Sequence, residues 1–113
     1  MTQHEDKVRL LHMLENTRKA HTSIAGKQRT DLDQDHLLEL ALTRLLEIVG
    51  EAANRVSDDT KERYSQIPWG QIVSLRNRLI HGYDAVDLDI LWNIIQYDLP
   101  PLIRDLEMIV TEM

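Results

Sequence analysis

The chain contains no cysteine, so disulfides, thiolate metal ligands and a thiol nucleophile are all excluded. Phenylalanine is also absent, and aromatic residues make up only 4% of the 113 positions. A core built from this sequence has to be aliphatic, chiefly Leu and Ile. Glycine and proline number only four and three, and that scarcity favours helices over strands. No apolar run approaches the ~20 residues of a membrane span. The opening Met1-Thr2-Gln3-His4-Glu5-Asp6-Lys7 lacks the basic-then-apolar order of a signal peptide, and the expected location is the cytoplasm, with no membrane partner. Basic residues are outnumbered, 13 Lys and Arg against 19 Asp and Glu, for a formal net charge of −6. Overall charge therefore cannot hold a nucleic acid, and any contact with RNA has to be confined to a cleft where Arg clusters.

What is present is amphipathic helix. The length suits one domain over residues 1–113, with roughly two-thirds of the unfolded surface buried. Leu10, Leu14, Thr17, His21 and Ile24 recur at four- and three-residue steps and predict a first helix from about Glu5 to Ile24, widened by Val8, Leu11 and Met13 and ended by Gly26. Asp31, with Gln34 three residues on, has the form of a capping box and predicts a second helix reaching about Ser57. Its stripe is Leu38, Leu42, Leu45, Val49, Ala52 and Val56. Leu37, Ala41, Leu46 and Ile48 cover much of the remaining circumference, a width that predicts burial on two sides, against the bundle and against a partner subunit.

Gly50, inside that helix, costs ~1 kcal/mol relative to Ala and predicts close approach of another backbone. Glu47, Glu51 and Arg55 stand at i, i+4, i+8 and predict ordinary surface pairs, with Glu51 turned into the neighbouring cleft as the alternative. A polar connection follows, carrying a helical turn around Lys61 to Tyr64. Pro68 then suits the first position of a short helix to about Ile80, with Ile72, Leu75 and Leu79 inward, Trp69 stapling its start and Gly82 closing it. Asp87 caps a last helix running nearly to Met113. Its stripe (Leu88, Trp92, Ile95, Leu99, Leu102, Leu106, Ile109, Met113) keeps phase through Pro100-Pro101, which predicts one kinked helix rather than two. The expected fold class is all-α, an antiparallel bundle of four to five helices.

One stretch departs from this pattern. In Ser74-Leu75-Arg76-Asn77-Arg78-Leu79-Ile80-His81-Gly82-Tyr83 an Arg, an Asn, a His and a Tyr gather at the end of a short helix. An ideal helix sets Arg76 and His81 about 140° apart, so they share a face only if the helix ends near Ile80. Asn77, four residues before His81, is placed to orient its ring. The negative end of the helix dipole favours imidazolium at His81, bringing its titration near neutrality. Arg76 brings a planar, permanently charged fork suited to a phosphate and its pentacovalent transition state. RNA supplies its own nucleophile in the 2′-hydroxyl, so a His and an Arg suffice without metal or cofactor. On spacing alone the plainer reading prevails, with Arg76 paired to an acidic neighbour and His81 capping the helix.

The stretch Arg76 to Tyr83 resembles the Arg-x4-His-x-Tyr motif of the HepT-like toxins of the HEPN superfamily. Leu46-Glu47-Ile48-Val49-Gly50-Glu51-Ala52-Ala53 is similar to the family's second-helix signature. Ile67-Pro68-Trp69 resembles the approach to its motif helix, and Trp92 through Leu99-Pro100 the start of its last one. The resemblance implies a HEPN-like bundle forming a homodimer whose facing motifs line a composite cleft, and a metal-independent ribonuclease acting on RNA. It implies Arg76 and His81 as catalytic residues, with Asn77 supporting. It implies a partner, a MntA-like minimal nucleotidyltransferase antitoxin, which can silence the toxin by transferring AMP to the motif tyrosine, here Tyr83. The alternative is a non-catalytic HEPN subunit that binds a nucleotidyltransferase or a nucleotide. A metal enzyme is the remotest reading, since His4, His12, His21, His36 and His81 form no His-x3-His pair and no Glu-x-x-His occurs.

Overall fold

The computed structural model describes residues 3–80 and 85–113. Its elements are α1 (Gln3–Ser23), α2 (Asp31–Gln34), α3 (His36–Asn54), α4 (Asp58–Arg63), α5 (Trp69–Val73), α6 (Leu75–Leu79), α7 (Leu88–Asn93), a π-helical segment (Ile94–Asp98) and α8 (Leu99–Glu112). The fold is all-α, and among the described residues no strand forms. No helix is long and apolar enough to cross a membrane.

Helix α3 is the centre of the packing, with α1 on one side and α5, α6 and α7 on the other, while α8 packs against α1. Asp6 near the start of α1 meets Ser57 just beyond the end of α3, so those two helices run antiparallel. The core is aliphatic, as the composition requires: Leu10, Leu42, Leu46, Val49, Leu79, Leu91, Ile95 and Leu106 are all fully buried. The stripe of α1 is inward at Leu10, Leu14, Thr17 and Ile24, whereas Leu11 lies at the surface. Gly26 has φ +76°, the left-handed conformation that glycine adopts without a Cβ clash.

Two element boundaries differ from the expectation. Asp31 does not cap the long second helix. Its Oδ2 accepts from the Gln28 backbone N–H at 2.7 Å, and the chain makes one turn, then breaks at Asp35 (φ −123°, ψ 86°). Asp35 recaps α3 by accepting from the Leu38 N–H at 3.0 Å. Four carboxyl or amide side chains lie within five residues there, and each competes for nearby backbone donors. The expected single motif helix is likewise broken at Ser74, between α5 and α6.

The last helix is continuous, and its irregularity is a π segment that falls just before the prolines. Pro100 and Pro101 have no N–H to give to the preceding turn. The chain widens just before them, with the Leu99 N–H reaching back five residues to the Ile94 carbonyl. Asp87 caps α7 as expected, accepting from the Ile90 N–H at 3.0 Å. Asp89 in the first turn also bonds Arg29 at 2.7 Å, and with Asp33 it raises the Arg29 pKa above its ordinary value.

A buried carboxylate missed by the sequence pattern ties α1 to the end of α3. Asp6, only 2% exposed, accepts from the Ser57 N–H at 3.0 Å and from the Ser57 and Thr60 hydroxyls, both at 2.6 Å. Burial by itself pushes its pKa up, but these three hydrogen bonds outweigh burial and hold it below the ordinary aspartate value. The stability Asp6 contributes is therefore fully present above the unfolded-state value of about 3.9 and is lost as pH falls through the lower folded value. Asp6→Ala should cost about 1–3 kcal/mol at neutral pH, because it leaves buried donors unmet. The gap from wild type in urea unfolding should narrow below pH 4; a gap constant down to pH 2 would contradict the assignment.

Candidate active site

Arg76 sits in α6, the single turn and a half that follows the break at Ser74. The break coincides with the closest approach of α3. An added Cβ at Gly50 would lie 3.0 Å from the Ile72 carbonyl oxygen and 3.6 Å from that of Val73. Gly50 is thus the contact the sequence expects, two backbones meeting where a side chain has no room. It sets the height of α5 and α6 along α3, and so brings Arg76 beside Glu47, one turn before Gly50.

The Arg76 Nε lies 3.8 Å from the Glu47 Oε2, with the Arg side chain 71% exposed and Glu47 24%. At that length and exposure the pair orients Arg76 only weakly. The acidic neighbour anticipated for Arg76 is therefore real, and it is Glu47 rather than Glu51. Glu51 reaches along its own helix to Arg44 at 3.5 Å. The expected Glu51–Arg55 pair does not form. No local signal chose Glu47 over Glu51; the height at which α6 crosses α3 brings Glu47 to Arg76.

Two cavities open on either side of Arg76. One, of about 280 Å³, is lined by Glu47, Gly50, Glu51, Asn54, Val73, Arg76 and Asn77. The other, of about 310 Å³, runs along α3 from His36 to Glu47 and is closed by Arg76, Leu79, Ile80 and Val86. Arg76 and Glu47 form the wall shared by both. Asn77 is exposed beside Arg76 in the first cavity. Arg78 is taken elsewhere: it is directed to Asp98 on the π segment at 3.3 Å, so its charge does not add to the Arg76 cleft.

Helix α6 ends at Leu79, and Ile80 is extended (φ −79°, ψ 124°). Ile80 forms an isolated antiparallel bridge with Val86, and the Asp87 N–H donates to the Leu79 carbonyl at 2.8 Å. These bonds hold Ile80 beside Val86, and both line the second cavity. His81, Gly82 and Tyr83, named from the sequence as catalytic residue, helix end and modification site, lie outside the described residues.

Comparison with known proteins decides the family. The pattern of the family described as ribonuclease HepT-like matches residues 13–109, which take in α3, the Arg76 helix and most of α8. The chain belongs to the HepT-like ribonuclease family. Its enzyme class is thereby ribonuclease, as the motif and the signature around Gly50 led one to expect. Among relatives of the HepT-like chain, a Methanocaldococcus jannaschii protein named "Putative RNase MJ1380" is 37% identical over 73 residues, covering 65% of this chain and 67% of that protein. A Caldanaerobacter subterraneus protein named "Putative RNase TTE0752" is 33% identical over 93 residues, 82% of this chain and 83% of its own length. A second M. jannaschii protein, "Gamma-glutamylcyclotransferase and putative RNase MJ0434", is 31% identical over 107 residues, 95% of this chain. The HepT-like chain spans about half of that longer relative, 48%. No solved structure matches it significantly.

Proposed function

We propose that this HepT-like protein is the toxin of a HepT/MntA-type pair, a metal-independent endoribonuclease of the cytoplasm that cleaves RNA with Arg76 and His81. The observation that carries the reading is Arg76: an exposed guanidinium on the wall between two cavities, in a helix that ends two residues before His81. In the proposed step the 2′-oxygen of RNA attacks the adjacent phosphorus, a new P–O bond forms and the bond to the 5′-oxygen breaks. Arg76 stabilises the pentacovalent phosphorane through its charge and planar fork. His81 moves the proton, from the 2′-hydroxyl or to the departing 5′-oxygen, and Asn77 holds the ring. Two copies divide these roles across a dimer cleft. Leu40, Val73 and Ile80 are exposed large apolar residues lining the Arg76 cavities, and supply apolar surface that a second copy would cover.

The partner in this reading is a minimal nucleotidyltransferase that silences the toxin by transferring AMP to the Tyr83 hydroxyl, releasing pyrophosphate from ATP. The adduct puts a bulky anion in the cleft and excludes the RNA phosphate by size and repulsion. The test is expression. Wild type should slow growth, His81→Ala should not, and co-expression with the nucleotidyltransferase should restore growth with the mass of AMP on Tyr83. Equal growth of wild type and His81→Ala would overturn the catalytic assignment in favour of a non-catalytic partner subunit. Restored growth with Tyr83 unmodified would replace AMP transfer by simple occlusion.

A further inference from the structure

On the face of α3 turned toward α1, a cavity of about 230 Å³ is lined by Arg9, His12, Ile48, Glu51, Ala52 and Arg55. We propose that it is a phosphate-binding subsite that carries the RNA backbone away from the Arg76 cleft; the proposal rests on the ribonuclease reading above.

The first support is the state of the charges. In a chain of net charge −6, several guanidiniums are met by an acid: Arg18 by Glu107, Arg29 by Asp33 and Asp89, Arg44 by Glu51 and Arg78 by Asp98. Arg9 and Arg55 line one cavity, and neither is paired with a carboxylate among the described residues. Arg55 stands four residues from Glu51, the spacing at which such pairs form on a helix, yet Glu51 is directed to Arg44 instead. The one acid on the cavity wall thus has its own cation, and the two arginines keep theirs uncompensated.

The second support is burial. The Arg9 Nε is shielded from solvent and has no hydrogen-bond partner among the described residues. Native proteins rarely leave such a donor unmet, and an anion in the cavity gives this guanidinium the counter-charge that the fold withholds.

The third support is position. Glu51 lines both this cavity and the 280 Å³ cavity of Arg76 and Asn77. The two are neighbours across one ridge of α3, where successive phosphates of one strand can be held. Because the overall charge repels a polyanion, binding has to come from such local, unpaired cations.

The experiment measures binding of a labelled single-stranded oligoribonucleotide across a salt series, in a His81→Ala background that leaves the RNA whole. Arg9→Gln with Arg55→Gln should weaken binding at least tenfold and flatten the slope of log affinity against log salt by about 1.4, at roughly 0.7 per phosphate contact. In the otherwise wild-type enzyme the same pair should raise KM with kcat within about twofold. Arg9→Lys should restore most of the affinity, and the exposed Arg55→Gln alone covers the case in which Arg9→Gln fails to fold. Unchanged affinity and slope would overturn the subsite, as would loss of nucleotidyltransferase binding with RNA binding intact, which would make this a protein-contact face. The ribonuclease reading falls separately, if Arg76→Ala and His81→Ala still cleave the oligonucleotide.

Discussion

Arg76→Ala should lower the kcat for RNA cleavage by about 10²–10³, the usual cost of removing one donor that stabilises a transition-state anion. The protein should stay folded. Arg76 is 71% exposed and its contact to Glu47 is 3.8 Å long, so removing it breaks nothing buried, and stability should move by less than about 0.5 kcal/mol. Arg76→Lys distinguishes charge from geometry. A lysine keeps the charge but loses the planar fork that spans two phosphoryl oxygens, and it should recover only part of the rate. Single-turnover cleavage with thermal melting of each variant makes the measurement. If Arg76→Ala cleaves at the wild-type rate, Arg76 is a surface residue and the chemistry lies elsewhere. Glu47→Gln adds a milder comparison: freeing Arg76 from a weak anchor should change kcat by a few-fold and leave the melting temperature in place.

Gly50→Val should be the most damaging substitution that touches no reacting group. The Ile72 carbonyl oxygen already lies 3.0 Å from where a Cβ would stand, and a branched side chain needs more space than that. Forcing it in costs about 1–3 kcal/mol by overpacking. Two terms oppose each other in Gly50→Ala, since a helix-interior alanine regains ~1 kcal/mol of propensity while its Cβ presses on Ile72. Its stability should therefore change little. Activity should fall in both, and further than stability, because α5 and α6 are the elements displaced and they carry Arg76 and Asn77. Urea unfolding alongside kcat makes the comparison. Full activity in Gly50→Val would mean that the contact at Ile72 does not hold the cleft in shape.

Those two expectations have different origins in the chain. The importance of Gly50 could be read in sequence, because a glycine that weakens a long amphipathic helix needs a compensating contact. Its partner could not, since Ile72 lies 22 residues on and the meeting point depends on how α5 is laid across α3. The same division holds for Arg76. Its place on a short helix ending near Ile80 followed from the local pattern, whereas the choice of Glu47 over Glu51 did not. Both acids have suitable spacing, and only the crossing height of the two helices selects between them. Arg78 shows the converse. Two residues on from Arg76, it is turned by helix spacing to the far side, where Asp98 meets it.

By itself the amino-acid sequence determined the all-helical class, the aliphatic core, the inward stripes of α1, α3 and the last helix, and the stretch that carries the family likeness. Those features are periodic or compositional, and each is written within a few turns of chain. The tertiary structure decided where helices stop and which charges meet: the break at Asp35, the break at Ser74, the π turn before Pro100, the buried Asp6 and the unpaired Arg9 and Arg55. The breaks at Asp35 and before Pro100 come from rival donors and acceptors close by in the chain, which periodicity does not rank, whereas the contacts of Asp6, Arg9 and Arg55 are settled among distant groups that meet only once the helices have packed.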